Sequence, residues 1–117
     1  MKRKMMQYDA AGDQALGQAI LRAGYAPDKK KMFGHEVYFL NGYMFAGANT
    51  DGCFVHVGEE AVQAAVAAAD GAGPFCPMEG MTMKAYLQLT TTITDDGEKL
   101  GAWLKQSAEY LSALPPK

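Results

Sequence analysis

The sequence predicts an α+β fold, a two-layer domain whose helices pack on one face of an antiparallel sheet, in the order α-β-β-β-β-α-β-α. Three observations predict it. Apolar residues at helical spacing lie towards both ends of the chain, β-branched and aromatic runs are grouped in the middle, and an Asn-Gly pair joins two of those runs. Strands grouped together, rather than alternating with helices, favour α+β over α/β. Asn-Gly is the preferred pair for a two-residue type I′ hairpin turn, because both positions take positive φ.

The elements follow in order. Residues 1–12 read as a flexible start, and residues 13–117 as a single domain. Between Asp13 and Ala23, the residues Leu16, Ala19, Ile20 and Ala23 form a helical stripe, which Gly24 and Pro27 end. Lys30–Phe33 reads as an edge strand, where lysines discourage further pairing. Glu36–Leu40, the Asn41-Gly42 turn, Tyr43–Ala48, the Thr50-Asp51-Gly52 turn and Cys53–Val57 form a central β-meander. Val62, Ala65, Val66 and Ala69 mark a second helix from Glu59 to Ala69, which Gly71 and Gly73-Pro74 end. A loop leads to a strand near Lys84–Thr91. The last helix opens at Asp95, with capping-box spacing to Glu98, and carries Leu100, Trp103, Leu104, Ser107, Leu111 and Leu114.

Composition narrows the function. The chain has 117 residues, a net charge of −2, 49% hydrophobic and 21% charged residues, values of one folded domain and not of a disordered chain. A (β/α)₈ barrel needs roughly 200 residues or more and is excluded. The mildly acidic balance argues against direct nucleic-acid binding through phosphate neutralisation. The basic start, Met1 to Met6, lacks the apolar run of a secretory signal, and no segment approaches the ~18 apolar residues of a membrane span. Cys53 and Cys76 do not make a disulfide framework; the reading is a cytoplasmic protein with reduced thiols, a single bridge between them being the alternative.

Signatures of conventional catalysis are missing from the sequence: it contains no P-loop, no Gly-x-Ser-x-Gly, no His-Glu-x-x-His and no Cys-x-x-Cys. His35 and His56 are the side chains suited to proton transfer near neutral pH. If Val55 and Val57 face the core, alternation places Phe54 and His56 on the opposite, more exposed face. Met78, Met81 and Met83 beside Cys76 have the softness that selects Cu(I), although methionine also fills gaps beneath loops. Lys2-Arg3-Lys4 and Lys29-Lys30-Lys31 could meet phosphates or an acidic partner, or simply be solvated.

The ordered residues Lys31-Met32-Phe33-Gly34, Tyr38-Phe39-Leu40-Asn41-Gly42-x-Met44-Phe45-Ala46-Gly47 and Val57-Gly58-Glu59-Glu60 resemble the TfoX/Sxy family N-terminal domain. The resemblance continues through Pro74-Phe75-x-Pro77-Met78-x-Gly80-x-x-Met83-Lys84-x-Tyr86 and Leu100-x-x-Trp103-Leu104, so that it covers residues 13–117 in the manner of short stand-alone members. It implies a secretion-chaperone-like α+β fold. It also implies kinship with bacterial competence regulators, in which this domain precedes a second domain of helix-hairpin-helix character and which act on transcription with the cyclic-AMP receptor protein. Two departures stand out: His35 replaces a glycine common in the family, and His56 replaces a common Arg or Lys.

These readings lead to an expected non-enzymatic interaction or regulatory module with a protein partner or as a homodimer, presenting Phe54 and Tyr43 on an exposed sheet face beside His35 and His56. The alternative is a small-ligand or metal-binding protein using His35, His56 and Cys76, with Met81 and Met83 as further soft ligands. No catalytic residue and no cofactor is assigned.

Overall fold

The computed structural model describes residues 7–32, 35–68 and 71–116. The Lys2-Arg3-Lys4 run, Phe33, the Gly34 turn, the side chain of His35 and Ala69 lie outside the described residues. The first helix, α1, spans Ala10–Arg22 and buries Asp13, Leu16 and Ile20. It starts three residues before the predicted position, because Asp9 supplies the carbonyl that receives the Asp13 N–H. The chain then turns at Gly24 into four consecutive antiparallel strands: β1 (Asp28–Met32), β2 (His35–Leu40), β3 (Tyr43–Asn49) and β4 (Gly52–His56). Asn41 and Gly42 take φ of 57° and 84°, the left-handed values of the expected type I′ turn.

Beyond the meander come α2 (Glu59–Ala68), β5 (Ala72–Pro74), β6 (Tyr86–Thr90), α3 (Thr91–Thr94) and α4 (Gly97–Ser112). The sheet order is β1-β2-β3-β4-β6-β5. Two elements were not predicted. β5 arises from residues read as helix-ending signals: Gly71 accepts the Thr90 N–H through its carbonyl, which brings the next three residues alongside β6. α3 is a single turn, too short for any hydrophobic period to reveal. The cap of α4 also moves by one residue. Asp96, not Asp95, accepts the Glu98 and Lys99 N–H groups at 3.0 and 3.2 Å.

Between the sheet and its helices sits the main core, which includes Leu16, Ile20, Phe45, Val55, Leu87, Leu89, Leu104 and Leu111. The other face carries a second cluster, Val37, Met44, Phe54 and Phe75, with Phe39, Met83 and Tyr86 packed around it. This cluster corrects the expectation that Phe54 is exposed. Phe54 does face away from the helices, but it is 0% exposed because Phe75 folds back over it, ring centroids 4.3 Å apart and planes 19° from parallel. β3 is therefore sealed on both sides, with Met44 to Asn49 all buried. Gly47 makes the close approach fit, since a Cβ there would lie 2.5 Å from the Phe54 ring.

Tyr43 needs a second correction. Tyr38 pairs with Ala46 but Phe39 with Met44, so Phe45 is an extra residue, a β-bulge. One inserted residue reverses the alternation of faces. Tyr43 thus packs against the helix-side core, not beside Phe54 on an outer surface.

Candidate functional site

Two groups of polar and aromatic side chains stand out, at different corners of the sheet. The first surrounds His56, the last residue of β4. Cross-strand pairing sets Tyr86 directly opposite it, and the two rings stack with centroids 4.1 Å apart. Tyr110 approaches from α4 at 5.6 Å and Tyr43 from β3 at 6.4 Å, edge-on. The Nδ1 atom of His56 lies 2.9 Å from the Met44 carbonyl, so Nδ1 carries the hydrogen in this contact. The His56 carbonyl accepts a hydrogen bond from the buried Ser107 hydroxyl at 2.6 Å. Burial, reinforced by Tyr110, pushes the Tyr86 hydroxyl up to about 12. Tyr86 accordingly remains a neutral phenol across the physiological range.

The same corner clamps the end of α4. The Asn41 side-chain amide donates to the carbonyls of Leu111 and Leu114 at 2.9 and 3.2 Å, and the Tyr43 hydroxyl donates to that of Pro115 at 2.7 Å. Both side chains tie the β2–β3 hairpin to the last turn of α4 and the residues that follow it. Asn41 therefore has two uses, since its backbone makes the turn and its side chain holds the helix.

The second group joins α1 to the edge of the sheet. Asp13 is 6% exposed. Its Oδ2 accepts hydrogen bonds from the Tyr8 hydroxyl at 3.0 Å and the Lys29 ammonium at 3.2 Å, and its backbone carbonyl accepts one from Tyr38 at 3.3 Å. The Lys29 ammonium also sits 5.0 Å from the centre of the Tyr38 ring. Burial acts to lower the Lys29 pKa, but the hydrogen bond to Asp13 and the nearby Tyr38 and Asp13 charges outweigh it, leaving the pKa raised. Tyr38 is raised by burial and then by the Asp13 charge, and Tyr8 by its hydrogen bond to Asp13.

Of the residues singled out from the sequence, the structure brings His56 and Tyr43 together. His35 begins β2, where it pairs with Met32, and β2 and β4 run in the same direction on either side of β3. His35 and His56 therefore occupy opposite ends of the sheet. Phe39 lies four steps along the strand from His35, a rise of roughly 13 Å. Cys76 is exposed, its Sγ 3.4 Å from the Thr82 hydroxyl, and Cys53 is a buried free thiol that burial pushes up to about 12. Met81 is exposed and Met83 packs against the Phe54 cluster. No group of three His, Cys, Asp or Glu among the described residues is arranged to hold a metal ion. No helix among them is long and apolar enough to cross a membrane.

Sequence reasoning did not single out Asp13, Lys29, Tyr86 or Tyr110 as members of these groups. Asp13 carried a signal, since it falls three residues before Leu16 on the buried stripe of α1. Tyr110 carried none, because its neighbours become visible only when α4 lies across the end of β4.

The TfoX N-terminal domain family matches residues 20–111 of the chain. No curated protein and no solved structure matches it.

Proposed function

The chain belongs to the TfoX N-terminal domain family, and on that premise we propose that it acts as a non-enzymatic interaction and regulatory module related to competence regulators, working in the cytoplasm through contact with a protein partner. The observation that carries this reading is β1, a sheet edge whose five residues are all exposed. An edge strand offers unpaired backbone N–H and C=O groups to an added strand. β1 contains no proline to interrupt such a ladder, and its sequence is Asp28-Lys29-Lys30-Lys31-Met32. Adjacent lysines disfavour pairing with a second copy of the same edge, since like charges directly opposite are destabilising. They select instead for an extended segment of complementary charge. The free thiols of Cys53 and Cys76 suit a reducing compartment.

The chemistry-bearing side chains support the same reading through what they already do. His56 is wedged among three tyrosines, Ser107 holds the end of β4, and Cys53 is a packed thiol. Each is engaged in holding the fold.

The test uses the whole chain as bait in its source cell, with chemical cross-linking, beside a Lys30→Glu/Lys31→Glu variant of unchanged thermal stability. A partner captured by the parent and lost with the variant supports the reading. Light scattering of the purified chain shows whether copies associate. A chain that is monomeric, and whose captured partners are the same for both proteins, contradicts a role for this edge.

A further inference from the structure

β1 is one of the two edge strands of the sheet, the other being β5. It pairs with β2 alone, buries none of its residues, and reaches the helix layer through the Lys29 side chain. Lys30, by contrast, lies over Phe39 of β2, 5.1 Å from the ring centre, and so adds nothing to that link. The Lys29 ammonium stands 3.2 Å from the Asp13 carboxylate, whose side chain is 8% exposed against 40% for Lys29. The other oxygen of that carboxylate, Oδ1, is buried and has no hydrogen-bond partner among the described residues. A buried polar atom without a partner is costly, and a buried charge more so. Asp13 thus depends on the two donors at Oδ2, Tyr8 and Lys29, and of these Lys29 alone brings a positive charge.

We propose that the Lys29–Asp13 pair is a latch that fastens the edge strand β1 to α1, and that removing the Lys29 charge releases β1 and bares the edge of β2. With Lys29 neutral, the buried Asp13 carboxylate loses the cation that faces it and keeps the Tyr8 hydroxyl as its donor. The strand that stands beside the carboxylate is β1, an edge whose residues are all exposed and whose strand pairing is with β2 alone. β2 stays in place, because Val37 is packed on one face of the sheet and Tyr38 on the other. Lys29 is accessible enough to be reached by an acylating reagent, which would place an acyl group on Nζ with loss of the leaving group and a proton. The latch is independent of the interaction reading, since it concerns which strand forms the edge and not what meets it.

Hydrogen–deuterium exchange of the full chain tests it, comparing the parent with Lys29→Gln, Lys29→Arg and the double variant Asp13→Asn/Lys29→Gln. Amides of β1 should exchange about tenfold faster in Lys29→Gln, an effect suited to a partly exposed pair. Amides of β3, β4 and β6 should not change. Lys29→Arg should keep slow exchange, and the double variant should recover it, because no buried charge then lacks a partner. Unchanged β1 exchange in Lys29→Gln overturns the proposal. So does equal acceleration in every strand, which marks a general loss of stability. A double variant that exchanges as fast as Lys29→Gln overturns the charge mechanism.

Discussion

The two faces of the sheet are covered in different ways. On one, α1, α2 and α4 bring regular stripes of Leu, Ile and Val down on Phe45, Val55, Leu87 and Leu89. On the other, an irregular segment carrying Phe75 and Met83 closes over Phe54, Val37 and Met44. Both faces bury large aromatic rings completely, yet only the first does so with secondary structure. The second face shows that a few apolar side chains at the right places in a loop can seal a sheet, provided a glycine such as Gly47 leaves room for the rings.

Truncation compares the two covers directly. Phe45→Ala should have the largest effect, a loss of about 4 kcal/mol of stability in denaturant unfolding, because the surrounding helices cannot collapse into the space. Phe75→Ala should cost about 3 kcal/mol, the low end for a buried phenylalanine, since a loop relaxes more readily than a helix. Faster proteolysis confined to residues 75–85 should accompany it. Equal losses, with no local change in the second variant, would show that the loop is as firmly part of the fold as the helices.

A smaller effect is expected where the two covers meet. Ser107→Ala removes the donor to the partly buried His56 carbonyl and should cost about 1 kcal/mol in thermal or denaturant unfolding. A cost below a few tenths would mean that the carbonyl finds another donor.

Alkali acts on both faces. Burial raises the hydroxyl of Tyr86 from 10.0 and the thiol of Cys53 from 9.0, each to about 12. Both groups bind their protons more tightly folded than unfolded, so their contribution is complete below pH 9 and is lost as pH rises towards 12. Stability measured against pH should fall through that window, and a flat profile would contradict the burial of both groups. Thiol labelling at neutral pH gives the mildest comparison. Cys76 should react readily, and Cys53 only at the rate of unfolding.

Much of the first face is legible in the sequence. The stripes of α1 and α4 are periodic, and Asn41-Gly42 states its turn in two residues, because both features are local. The second face is not legible. Phe75 reads as a loop residue, and alternation puts Phe54 in solvent, since nothing in the local pattern reveals that one will cover the other. The side of the sheet that Tyr43 takes is hidden for a related reason. The bulge at Phe45 comes from how β3 aligns with β2, and a strand read alone has no register.

The sequence by itself determined the α+β class, the meander, the helix faces and the resemblance to the TfoX N-terminal domain family. Local φ/ψ preference and hydrophobic period are properties of neighbouring residues, and they survive without a structure. Tertiary structure alone decided that Phe54 is buried, that Tyr43 belongs to the helix side, that His35 and His56 stand at opposite ends, and that Asp13 is paired with Lys29. Each of these depends on residues far apart in the chain, whose meeting is set by strand register and by what packs over each face.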